Sequence, residues 1–141
     1  MGYPCTPWCV FNYLINYKDH PEILAAIQET DRPLLKLVLW TAKAQDEGGR
    51  YYLVENPPTA SSWKQAEITN ITKRPNNYIA IGDQCMNGLT GRRGGLMKKQ
   101  LKFAVNDEEL AIELDDKCDN QQDHEVCEGG GAGGDTRLSQ E

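Results

Sequence analysis

No run of 18 apolar residues occurs in this chain of 141 residues, so the sequence holds no segment able to cross a bilayer as a helix. No charged leader followed by an apolar core opens it, so no secretory signal is expected. Histidine is scarce, with 2 in the chain, and the 5 cysteines are odd in number and widely scattered. That pattern excludes a disulfide-stapled scaffold. Reduced thiols in an intracellular compartment, nuclear or cytoplasmic, are the expectation, with no membrane partner. Apolar residues make up 39% and the mean hydropathy is -0.63, so the core has to be concentrated in part of the chain.

The charge is divided. Residues 106–141 carry 12 of the 21 acids with only Lys117 and Arg137 as bases, a net of -10. Residues 1–105 carry 13 bases and 9 acids, a net of +4, and the two parts sum to the overall -6. A mildly basic body of residues 1–115 followed by an acidic, glycine-rich tail of residues 116–141 is the expected organisation, with disorder expected from residue 129.

The most informative stretch is Tyr51 to Pro58, YYLVENPP. A short apolar run predicts a buried strand. Glu55 and Asn56 stand where that strand leaves its sheet, and Pro57 and Pro58, without backbone N–H groups, end the ladder. In open α/β sheets ligands bind at such strand ends. Before it, Val10, Phe11, Leu14 and Ile15 predict a short helix between Trp8 and Tyr17. Residues 21–47 read as mostly helical, with a restart at Thr30-Asp31-Arg32-Pro33. The part from Leu34 to Trp40 is apolar nearly all round and expected to be buried, and Gly48 and Gly49 stop it. Tyr51, Tyr52, Trp8, Trp40 and Trp63 are expected in the core.

After it, Ser61 or Ser62 starts a helix that runs to about Thr72, and Tyr78 to Ile81 reads as a strand. NGLTGRRGG, residues 87–95, is a basic glycine-rich loop. Lys98 to Val105 alternates as a strand, and Asn106 or Asp107 caps a helix holding Leu110, Ile112 and Leu114. Strands alternating with helices predict an α/β layer with a mostly parallel sheet.

Cys5, held in P-C-T-P, and Glu55 are the candidate nucleophile and its carboxylate partner. Cys118, His124 and Cys127 form C-x5-H-x2-C, with Cys85 or Cys9 as a possible fourth ligand. The irregular spacing and acidic surroundings favour solvated tail residues, and no metal is expected.

PCTPW followed by VENP, with helices between, resembles the catalytic half of cytosine-5 DNA methyltransferases, where a Pro-Cys loop carries the nucleophile and a Glu-Asn pair ends the next strand. PCTPW, GRYYLVENPPTASSW and GDQCMNGLTG are similar to methyltransferase-like stretches in retroelement-type polyproteins. The resemblance spans about residues 2–125. It implies a partial Rossmann-like methyltransferase fold, the C-terminal catalytic half, with S-adenosylmethionine as cofactor of the parent fold and DNA as partner. It implies that Cys5 attacks C6 of cytosine, that Glu55 contacts N3, that Asn56 braces the Glu55 loop, and that Arg92 and Arg93 contact phosphate; Lys98 and Lys99 of the same basic stretch are further candidate nucleic-acid contacts. Pro57 stands where the family has Val, and no glycine-rich cofactor turn follows a first strand. A fragment inactive alone, needing a complementing N-terminal half or self-association, is therefore expected. Two alternatives stand beside it: a non-enzymatic nucleic-acid-binding module using residues 92–102, and an amino-methyltransferase-like fragment acting through Asn56-Pro57-Pro58.

Overall fold

The computed structural model describes residues 1–125, and the remainder of the expected tail, Cys127 included, lies outside the described residues. Helix α1 spans Pro21–Glu47, β1 Leu53–Asn56, α2 Ala66–Thr72, β2 Tyr78–Asp83, β3 Leu96–Met97, β4 Gln100–Val105, α3 Glu108–Leu114 and β5 His124–Glu125. Among the described residues no helix is long and apolar enough to cross a membrane.

The main sheet has three strands in the order β1-β4-β2, and β4 is antiparallel to both neighbours. The mostly parallel sheet expected from the sequence is corrected here. β1 and β2 do run in the same direction, since each opposes β4, but they do not pair with each other. β4 fills the space between them because both of its faces can be buried. Ala104 joins Val54 in a core with Trp8, Leu35, Val38, Ile68 and Ile71, which puts α1 and α2 on one face. Phe103 and Val105 join Ala80 and Ala111, flanked by Leu53, Leu101, Leu110 and Leu114, which puts α3 on the other. The result is a three-layer α/β/α arrangement.

Helix α1 is continuous through Pro33, with no restart at Thr30. An interior proline removes a helical hydrogen bond and costs about 3 kcal/mol. Leu35, Val38 and Ala42 are buried on one stripe, and a fully buried large aliphatic side chain gains roughly 1.5–3 kcal/mol. Arg32, just before the proline, ties α1 to itself and to α2, donating to Glu29 at 2.7 Å and to Glu67 at 3.2 Å. The opposite stripe is not buried as expected: Leu34, Leu37 and Trp40 are exposed, Trp40 by 67%. Tyr51 is exposed as well, while Tyr52, Trp8 and Trp63 lie in the core. The segment expected as a helix after Trp8 is a short π-helical turn, Asn12–Asn16, that leaves Phe11, Leu14 and Ile15 exposed. The helix expected from Ser61 is split into a 3-10 turn, Ser61–Lys64, and α2, the break falling at Gln65.

Both edges of the sheet are covered by chain. Beside β1, Gly2 pairs with Glu55 in parallel, and Glu55 N donates to Met1 O at 3.1 Å. Beside β2, the segment after α3 supplies the partners. Ile81 N donates to Asp115 Oδ1 at 2.9 Å, and Asp83 N to Asp116 O at 2.9 Å. Such cover removes the unpaired ladder that invites edge association.

Candidate functional site

The end of β1 meets the N-terminal segment. Val54 and Asn56 point into the α1/α2 core, so Glu55 falls on the other side of the strand, opposite Phe103 of β4. The Glu55 side chain rests on the Gly2 backbone, where an added Cβ would sit 3.0 Å from Oε1. Its Oε2 is buried and accepts no hydrogen bond from the described residues. A buried, unsatisfied carboxylate oxygen is costly and marks a place where a donor belongs.

Asn56 is 1% exposed, and its Nδ2 donates to Tyr3 O at 3.4 Å. It therefore ties the N-terminal segment to β1. Its Oδ1 is buried without a partner among the described residues. Tyr3 is anchored in turn by its hydroxyl, which donates to Ser62 Oγ at 2.8 Å, and burial pushes that phenol up to about 12. After β1, Ala60 N donates to Pro57 O at 3.0 Å and Trp63 Nε1 donates to the same carbonyl at 2.9 Å. The two prolines end the strand as expected and Trp63 fixes the turn that follows. The Lys102 ammonium lies 4.6 Å from the centre of the Trp63 ring.

Cys5 opens the 3-10 turn Thr6–Trp8 and is half-buried. Burial pushes its thiol up, the neighbouring Cys9 adds to this, the Lys99 ammonium opposes it, and the Glu55 carboxylate raises it slightly further. The sequence-identified pair Cys5 and Glu55 thus shares one neighbourhood, and Lys99 joins them. The four cations expected on nucleic acid are divided. Lys99 is half-buried near Cys5, whereas Lys98 donates to Asn120 Oδ1 at 2.6 Å and lies 3.9 Å from Asp83. Arg93 lies 3.6 Å from Glu125, and Arg92 is exposed in the same loop.

A second cluster forms around the end of β2. Cys85 and Cys118 are buried, and their sulfurs and a ring nitrogen of half-buried His124 all lie within 4.8 Å of one another. Cys118 and His124 were recognisable as a Cys/His pair in sequence, while Cys85 stood only as one of two optional ligands. The loop beside the cluster is shaped by Glu125, whose Oε1 accepts from Gly95 N at 2.7 Å. A Cβ at Gly91 would sit 2.2 Å from the Glu125 carboxylate, so the glycines of the basic loop make room for an acidic side chain. The glycine pattern is the only signal in sequence that could have pointed to that contact.

Comparison of the chain with protein-family models, with curated proteins and with solved structures finds no match in any of the three.

Proposed function

We propose that this chain is the nucleophile-bearing part of a cytosine-5 methyltransferase-like domain, in which Cys5 adds to C6 of a cytosine and Glu55 engages N3. The observation that carries the reading is the pairing of the N-terminal segment that leads into Cys5 with the Glu55 strand end, the Glu55 carboxylate lying against Gly2 with one oxygen buried and unpaired among the described residues. The codirectional β1 and β2, connected through α2, and helices on both sheet faces also support it.

The chemistry open to these residues is the addition step. The Cys5 thiolate forms a bond to C6, and the C5–C6 π pair moves to C5, where it takes a proton from water. Charge that develops at N3 is offset when Glu55, in its carboxylic acid form, donates its proton to N3, and that proton returns to Glu55 as the thiolate leaves. Loss of the original C5 hydrogen and expulsion of the thiolate restore the base with a solvent hydrogen at C5. The groove next to the Pro-Cys turn does not fit S-adenosylmethionine. The groove beside Cys5, lined by Met1, Gly2, Tyr3, Pro4, Leu34 and Leu37 among others, is apolar and offers no carboxylate for a ribose. No methyl transfer is derived for this chain alone. In this reading a complementing segment or a second copy covers the exposed α1 face and supplies the donor site.

The test is hydrogen exchange at cytosine C5 in deuterated water, on a single-stranded deoxycytidine oligonucleotide that needs no base flipping. Exchange should be lost in Cys5→Ser and fall at least about 100-fold in Glu55→Gln, the scale of a positioned acid–base group. Exchange equal in wild type and Cys5→Ser, or absent with folded protein, would sink the reading.

A further inference from the structure

We infer that Cys85, Cys118 and His124 form a structural zinc site that pins the segment after α3 to the end of β2. Zinc is held tetrahedrally at about 2.3 Å from sulfur and about 2.0–2.1 Å from imidazole nitrogen, so its ligand atoms stand about 3.5–3.8 Å apart. The Cys118 Sγ to His124 Nε2 separation is 3.3 Å, and the three ligand atoms fall within 4.8 Å of one another. Small side-chain rotations bring them onto one ion. Two thiolates and an imidazole suit zinc better than calcium or magnesium, which prefer oxygen.

Each ligand arrives from a different segment and is oriented before any ion binds. Cys85 sits in the 3-10 turn Gln84–Asn87 that directly follows β2. Cys118 is positioned by its own N–H, which donates to Asp83 Oδ2 at 2.9 Å; Asp83 is 2% exposed and also accepts from Gln100 Nε2 at 3.2 Å. His124 is placed by the parallel pairing of β5 with β3, in which it stands opposite Leu96. Asn120, at φ 61, turns the chain so that its N–H donates to Cys118 Sγ at 3.4 Å. An amide aimed at a sulfur stabilises the thiolate form that a metal requires, and such outer contacts orient the ligands of metal sites.

The site has a mechanical use. Pairs of two-residue strands are marginal alone, and β3 with β5 is such a pair. An ion bound by all three segments ties β5 and the residues around Cys118 to the sheet. On binding, the two thiol protons pass to solvent, and a fourth donor, from solvent or protein, completes the tetrahedron.

The full chain, reduced and stripped with a chelator, should be titrated with cobalt(II) and then zinc(II). Cobalt should give the visible bands of a tetrahedral site and a near-ultraviolet thiolate charge-transfer band, both displaced by one equivalent of zinc. Zinc in excess should raise the melting temperature by about 5–10 °C. In the unmutated chain, zinc should slow alkylation of Cys85 and Cys118 at least about tenfold while Cys5 and Cys9 react as before, read by mass spectrometry. Cys118→Ser should abolish the cobalt bands and Cys9→Ser should leave them intact. Octahedral cobalt only, a spectrum unchanged in Cys118→Ser, or no protection of Cys85 and Cys118 in folded wild-type protein would each overturn the site. None of these readouts depends on exchange at cytosine C5, so the site stands or falls apart from the methyltransferase-like reading.

Discussion

The Glu55 carboxylate lies on the backbone of Gly2, so close that a methyl group at residue 2 would stand 3.0 Å from Oε1. Gly2→Ala should therefore push Glu55 off its place while leaving the core untouched. Cys5-dependent exchange at cytosine C5 should fall about tenfold, and stability should change by no more than about 0.5 kcal/mol, as for an exposed position. Exchange kinetics and a melting curve on the same sample check both. A larger loss of stability than of exchange would assign Gly2 to the fold instead.

The Cys5 thiol is raised by burial, then by Cys9, and held back by Lys99. A raised thiol is mostly protonated at neutral pH, so reactivity should be low there and climb as pH rises past the ordinary thiol range. Iodoacetamide labelling across pH should show a midpoint above that of a free cysteine. Lys99→Met removes the opposing charge, so the midpoint should move further up and labelling at pH 8 should slow severalfold. A midpoint lowered by that change would mean that Lys99 does not act on Cys5.

Asp46 near the end of α1 takes the Arg74 guanidinium, with Nε at 2.8 Å, and its other oxygen accepts from Asn106 at 3.2 Å. The Arg74 and Asn106 contacts hold its carboxyl below the usual carboxylate range. A depressed carboxylate contributes stability that is present above its unfolded value, near pH 4, and is lost as pH falls. The wild type should lose stability on acidification more steeply than Asp46→Asn, and a cycle with Arg74→Met should show a coupling of about 1 kcal/mol. Denaturant melts at pH 7 and pH 3 measure it.

Gly82 lets the chain after α3 approach the edge of β2. A Cβ there would sit 2.4 Å from the Leu114 carbonyl oxygen, which is backbone and cannot step aside. Gly82→Ala should cost about 1–3 kcal/mol. Amide exchange should quicken first at Ile81 and Asp83, whose N–H groups donate to Asp115 and Asp116.

Leu37 and Trp40, one turn apart on α1, are 56% and 67% exposed, and Leu37 lines a groove with Met1 and Gly2. An apolar stripe of this kind invites association. The isolated chain should self-associate with rising concentration in sedimentation, and Leu37→Lys with Trp40→Lys should return it to monomer with unchanged circular dichroism. A monomer at all concentrations in the wild type would count against a second copy on this face.

Much of the local structure was legible because local rules decide it. Asp107 caps α3, its Oδ1 accepting from Leu110 N at 2.8 Å, as the polar residue before an apolar helical pattern implies. Gly48 ends α1, Pro57 and Pro58 end β1, and the alternation in β4 sends Leu101, Phe103 and Val105 to one face and Ala104 to the other.

What the sequence determined by itself is the presence of β1, β2, β4 and α3 and the end of α1, since capping, periodicity and proline act over a few residues. Tertiary structure alone decided that β4 enters between β1 and β2 and makes the sheet antiparallel, because strand pairing is a contest among distant partners. It also decided that α1 runs through Pro33, where burial of Leu35, Val38 and Ala42 outweighs a local penalty. The same holds for Cys85, Cys118 and His124. No spacing rule joins the first to the others, and they meet only because the chain after α3 folds back along the edge of β2.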